Sequence, residues 1–134
     1  MTLLTVNERF NNIKPCAGRI LKAYMIKEDL ICFEYQNKAT ITKDDIIEAI
    51  KIQEEMIGDR LVNRLILTGN RTGVSPEARR YLAKFGLAAK KEAFIIHNFT
   101  QKMMYNLYYS VRRASHPVRT FESLDKAMEW LDKD

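Results

Sequence analysis

Seven consecutive residues, Gly69-Asn70-Arg71-Thr72-Gly73-Val74-Ser75, have the glycine and polar pattern of a loop that feeds the start of a helix. Unpaired backbone N–H groups and the helix dipole make such a place favourable to an anion. The familiar phosphate-loop pattern is absent, because Val74 rather than lysine follows Gly73, and no G-x-G-x-x-G occurs anywhere. Ser75 directly precedes Pro76, so its hydroxyl is expected to cap the helix. A phosphate on the same oxygen would lie beside the positive helix end and within reach of Arg71 or Arg79, so phosphorylation of Ser75 is physically allowed without being indicated. The expectation is a partner-binding loop that presents Arg71 and Thr72, with Ser75 mainly structural.

Three further groups could do chemistry. His97 ends an apolar run and is followed by Asn98, which places it at the carboxyl edge of a sheet, where α/β proteins bind ligands. A general base there needs a nucleophile, and none is positioned: Cys32 lies inside an apolar strand and reads as a small core residue. His97 is therefore expected to be a packed, hydrogen-bonded residue at a ligand edge, and His116, beside Pro117, a loop residue. Two histidines and two cysteines without ligand spacing make no metal site, and nothing in the sequence calls for a cofactor. The segment Phe99 to Arg113 is aromatic nearly all round. Its Phe99, Met103, Leu107 and Val111, at strict four-residue spacing, are expected to face a sheet. That leaves Tyr105, Tyr108 and Tyr109, with Arg112 beside them, for an interface, most simply that of a two-fold homodimer.

The elements that must position these groups follow from periodicity. Residues 1–15, with Asn7, Asn11 and Asn12, read as an N-terminal arm, and residues 16–134 as one domain. Gly18 to Ile26 and Leu30 to Tyr35 read as a hairpin about Lys27-Glu28-Asp29. A helix capped by Thr42 runs to Gly58, with Ile46, Ala49, Ile50 and Ile57 on its apolar side. Arg64 to Thr68 is a short apolar run with the look of a central strand, followed by a helix from Ser75 with Ala78, Tyr81, Leu82 and Phe85 as its stripe. Ala93 to His97 is another strand, then come the aromatic helix, a short strand from Val118 to Phe121, and a last helix carrying Leu124, Ala127, Met128 and Leu131. The order ββαβαβαβα implies an α/β domain with a mixed five-stranded sheet and four helices.

Composition agrees with a single globular domain. The 134 residues are 46% apolar and 29% charged, which excludes disordered and collagen-like classes. No apolar run approaches the roughly twenty residues of a membrane span, and no export signal is visible, so a reducing cytoplasm is the expected location. The formal charge is +5, concentrated between Arg71 and Phe121, where ten basic residues stand against Glu77 and Glu92. A basic stretch can meet an anionic partner, and equally can be a solvated face.

Ser75-Pro76-Glu77-Ala78-Arg79 opening a helix after a central strand, Pro117-Val118-Arg119-Thr120-Phe121, and the closing Ala127-Met128-Glu129-Trp130-Leu131 together resemble the SpoIIAA-like members of the STAS group, the sulfate transporter and anti-sigma factor antagonist domains. The resemblance spans about Ala17 to Asp134 and implies a compact STAS-like α/β fold with a mixed sheet. Better-known members carry a phosphorylated serine in an Asp-Ser-Ser/Thr-Gly setting, and the aspartate is missing here. The functional expectation is a non-enzymatic cytoplasmic interaction or regulatory module with a protein partner. The first alternative is a module binding a lipid or other apolar anion, suggested by the family's general likeness to lipid-transfer folds. Nucleic-acid binding ranks behind both, since the basic stretch with interleaved tyrosines contains no recognised motif.

Overall fold

Apolar side chains at every position of the central strands, rather than at every second one, decide the architecture: such strands must be covered on both faces. The computed structural model describes residues 13–86, 88–103, 105 and 116–133. The chain runs β1 (Cys16–Ala17), β2 (Leu21–Lys27), β3 (Leu30–Tyr35), β4 (Thr40–Ile41), α1 (Lys43–Ile57), β5 (Asn63–Leu67), β6 (Gly73–Val74) and α2 (Pro76–Phe85). It continues with β7 (Glu92–Ile95), a helix α3 opening at residues 99–103, β8 (Val118–Phe121) and α4 (Leu124–Asp132). The main sheet has the order β1-β2-β3-β5-β7-β8, antiparallel from β1 to β3 and parallel from β3 to β8.

This is the expected mixed α/β fold with one strand more. The sixth strand, β1, pairs Cys16 with Ala23 and Ala17 with Lys22, around a turn closed by the Gly18 N–H on the Leu21 carbonyl at 2.7 Å. Two residues carry no readable period, so the sequence shows no strand there. At Gly18 the Glu48 carboxylate lies over the turn and accepts the Arg19 N–H at 2.8 Å, so a Cβ there would have to push that side chain aside. A second small sheet, β4 with β6, was equally invisible for the same reason.

The parallel strands advance in one direction across the sheet, and right-handed crossovers then place α1, α2 and α3 on the same face. The packing agrees. Ile31, Phe33, Ile66 and Phe94 meet Ile46, Ala49 and Ile52 of α1, Ala78 of α2 and Tyr105. The alternate residues Leu30, Cys32, Leu65, Leu67, Ala93 and Ile95 point to the other face, where Leu124, Ala127 and Leu131 of α4 cover them. Each helix start is built locally. Thr42 and Asp45 form a reciprocal capping box at α1, and Ser75 and Ser123 accept N–H bonds from Ala78 and Lys126. Arg19 closes the α1 cap from outside, its Nε and Nη2 donating to the two Asp45 carboxylate oxygens at 2.8 and 2.6 Å.

Because α4 supplies Leu124, Ala127 and Leu131 to the second face, trimming its buried end should be costly. Leu131→Ala is expected to destabilise the domain by about 2–5 kcal/mol, measured as a shift in the urea midpoint at unchanged slope; a loss under half a kilocalorie would mean that α4 is not part of the core.

Candidate functional site

The loops that leave the carboxyl ends of β5 and β7 are joined by one side chain, Gln101, and the loop after β3 is tied to them through Thr72 and Asn70. Its Oε1 accepts the His97 N–H at 2.8 Å, and its Nε2 donates to the carbonyls of Gly69 and Thr72 at 3.0 and 3.4 Å. Gln101 is itself held by the first turn of α3, where its N–H donates to Asn98 Oδ1 at 2.9 Å. Thr68 Oγ1 donates to the Ile95 carbonyl at 2.5 Å, and His97 Nε2 lies 2.6 Å from the Thr68 carbonyl, so that nitrogen carries the hydrogen. On the far side, Asn70 donates its N–H to Asn37 Oδ1 and accepts from Lys38, while β6 lies against β4. Gly69 has no alternative here: a Cβ would come 2.2 Å from Thr72 Oγ1 and 2.4 Å from the Gln36 carbonyl.

The expected site residues fall into different roles within this frame. Thr72 is not a surface residue. It is 1% exposed and its hydroxyl donates to the Gln36 carbonyl at 2.5 Å, which removes it from any partner-reading surface. Arg71 is exposed, with a left-handed backbone (φ 61°), and Ser75 is half-buried with its Oγ accepting the Ala78 N–H at 3.1 Å. His97 stands just past the carboxyl end of β7, hydrogen-bonded through its ring to the Thr68 carbonyl as expected, but exposed at the edge and not packed. Cys32 is fully buried, and burial, then Glu34, pushes its thiol well up, which suits a core residue and not a nucleophile.

Helix α3 is rotated from the expected phase. Phe99 and Met103 do not face the sheet; they are 72% and 58% exposed, whereas Gln101 and Tyr105 point inward. The polar demands of Gly69, Thr72 and His97 set this phase, and a stripe counted from apolar residues alone misses it. Tyr105, expected at an interface, is instead 6% exposed with its ring 5.1 Å from that of Phe94. The other expected interface residues, Tyr108, Tyr109 and Arg112, lie outside the described residues.

A second polar group was missed altogether at the opposite end of the strands. Arg64 and Glu92 are register partners on β5 and β7, both buried, with Arg64 Nε donating to Glu92 Oε2 at 2.7 Å. Arg64 Nη1 also donates to Gln53 Oε1 of α1 at 3.0 Å and to the Ala88 carbonyl. His116 is buried and not a free loop residue, its Nε2 donating to Glu92 Oε1 at 3.0 Å. Burial alone would raise the Glu92 pKa, but the Arg64 charge and the His116 and Arg64 hydrogen bonds outweigh it and hold the carboxyl down at about 2. The available signal was the pair of charges opening two otherwise apolar strands. Among the described residues, no three His, Cys, Asp or Glu side chains converge as metal ligands, and no helix is long and apolar enough to cross a membrane.

A mixed sheet with three crossover helices on one face and a closing helix on the other is a SpoIIAA-like fold. The crystal structure of an uncharacterised protein from the DUF3478 family with a SpoIIAA-like fold, from Shewanella loihica PV-4, superposes with a TM-score of 0.59 at 19% identity, the match covering 83% of this chain and 91% of that one. That likeness carries the fold alone. The chain belongs to the family described as a domain of unknown function, DUF7793, whose model matches residues 24–133. A search of curated proteins finds no match.

Two outcomes test this geometry. Glu92 has a lowered folded pKa, so its contribution is present above its unfolded value of about 4.3 and is lost as pH falls toward 2. Urea midpoints are expected to fall through that window, and Glu92→Gln to cost about 3–5 kcal/mol at pH 7 by stranding the Arg64 charge. If Gln101 holds the β5 and β7 loops together, Gln101→Ala should speed amide hydrogen exchange at His97 and Thr72 by about tenfold or more; unchanged rates would show that the loops hold themselves.

Proposed function

We propose that this chain is a non-enzymatic, cytoplasmic interaction module of regulatory type. It meets a protein partner through the carboxyl edge of the sheet, with Arg71, Phe99 and Met103 as the contacting side chains. The observation that carries this reading is the exposure of Phe99 and Met103 on the first turns of a helix whose inner side is pinned by Gln101. Large apolar groups held in solvent on a rigid frame are what an interface core uses. Arg71 stands exposed on the loop that the same glutamine fixes. A catalytic reading finds less support, since the His97 Nε2 is taken up by the Thr68 carbonyl and the Ser75 hydroxyl by the α2 cap. In this reading Ser75 is structural, and its phosphorylation is a separate possibility for regulation. Self-association as a two-fold dimer belongs to the same proposal and rests on Tyr108, Tyr109 and Arg112, now without Tyr105.

The test compares proteins captured by the unaltered chain with those captured by Phe99→Ser/Met103→Ser and by Arg71→Glu. All three should melt alike, because the altered side chains are exposed. The double variant is expected to lose its specific partner at least tenfold, as removal of a central apolar anchor does, and the charge reversal to weaken it less. An identical set captured by all three would refute the surface.

A further inference from the structure

Charge is distributed differently at the two ends of the parallel strands. The segments that follow β3, β5 and β7, residues 36–42, 68–75 and 96–103, contain Lys38, Arg71 and Lys102 and no aspartate or glutamate. All three cations are exposed, and among the described residues no carboxylate pairs with any of them. Of the carboxylates that open the following helices, Asp45 is bonded by Arg19 and Glu77 lies 3.9 Å from Lys43. At the amino ends the loops mix both signs, with Glu28, Asp29 and Asp59 beside Lys27 and Arg60. Lys38 and Arg71 are also neighbours. The Lys38 N–H donates to the Asn70 carbonyl and the Asn70 N–H to Asn37 Oδ1, each at 2.8 Å, so two loop tips are knitted into one. Both residues hold a left-handed backbone, with φ 54° and 61°, and among the described residues they are the only non-glycines that do. Glycine or asparagine would take that conformation at less cost, so a long cation at each tip points to a use for the side chain.

On the same frame, Phe99, Lys102 and Met103 occupy positions i, i+3 and i+4 of α3 and form one outward face of two large apolar side chains and a cation. Gln101, in the same turn, donates to the Gly69 and Thr72 carbonyls on either side of the Arg71 tip, which fixes the helix face and the loop tips relative to one another. We infer that the partner meets this edge with an acidic amphipathic segment of a protein chain, its carboxylates answered by Lys38, Arg71 and Lys102 and its apolar side chains by Phe99 and Met103. The inference rests on the reading of this edge as a partner surface and adds the chemistry of what docks there. Apolar anchors supply the affinity of such a contact, and opposite charge steers the segment and sets its register. A basic segment would meet three cations with no carboxylate among them and be repelled. Three cations are few for a nucleic-acid footprint, which neutralises a longer run of phosphates, and few for an anionic lipid surface, which is held by larger basic clusters.

The probe is a phage-displayed library of random peptides, panned on the full chain with subtraction on the Phe99→Ser/Met103→Ser variant. Peptides that survive subtraction are expected to be rich in aspartate and glutamate around large apolar residues, and to bind more weakly as salt rises. Once synthesised, they should bind Lys38→Asn/Arg71→Asn at least about fivefold more weakly, the worth of two exposed charge contacts. That variant should melt no lower than the unaltered protein, because asparagine is more at ease in a left-handed backbone. Surviving peptides with no excess of carboxylates would overturn this inference and leave the surface itself standing, whereas no surviving peptide at all would overturn both. Acidic peptides that bind the asparagine variant equally well would make the two cations bystanders, and a fall of several degrees in its melting temperature would make them structural; either result overturns the inference. So would sedimentation of the full chain with phosphatidylserine vesicles that the same variant abolishes, since the surface would then belong to a membrane.

Discussion

A guanidinium and a carboxylate lying side by side within a sheet that is covered on both faces can persist only while each satisfies the other. Arg64 and Glu92 do so at 2.7 Å, and much of the molecule is arranged around keeping them matched. A slip of one residue between β5 and β7 would turn the two side chains to opposite faces and strand both charges, so the pair sets the register of the central strands. Gln53 ties α1 to the pair, and His116 ties the approach to β8, where the Glu92 N–H also donates to the Pro117 carbonyl. One ion pair thus specifies the placement of a helix and of the last strand. An apolar pair of similar volume could equal its stability without specifying any of this.

The two ends of the parallel strands are built on different principles. At the amino end, charge is buried and matched. At the carboxyl end, neutral groups do the same work: Gln101, Thr68 and Thr72 share out backbone carbonyls and N–H groups so that three loops hold one shape. Rigidity at that end leaves Phe99, Met103 and Arg71 as outward side chains on a fixed frame. It also explains why Thr72, adjacent to Arg71 in sequence, has the opposite environment.

The larger elements were legible because they obey periods. The β2–β3 hairpin, the central strands, the caps at Thr42 and Ser75, and the α4 stripe of Leu124, Ala127 and Leu131 all stand where residue spacing placed them. The failures share a cause. Strands of two residues have no period, and the phase of α3 depends on hydrogen-bond demands from loops distant in sequence. His116 looked like a loop residue because its partner, Glu92, is 24 positions away. Periodicity reports which residues prefer to be buried; it does not report which polar groups need one another.

The asymmetric covering of the sheet has a consequence for biogenesis. The α1-to-α3 face acquires each helix soon after the strand that precedes it, so that layer can close progressively as the ribosome delivers the chain. On the opposite face the covering helix, among the described residues, is α4, which follows every strand in sequence. Until α4 is made, Leu65, Leu67 and Ile95 lack Leu124, Ala127 and Leu131 from their cluster. The nascent domain therefore passes through a stage with part of one greasy side still uncovered, the stage at which holdase chaperones and aggregation compete for a polypeptide.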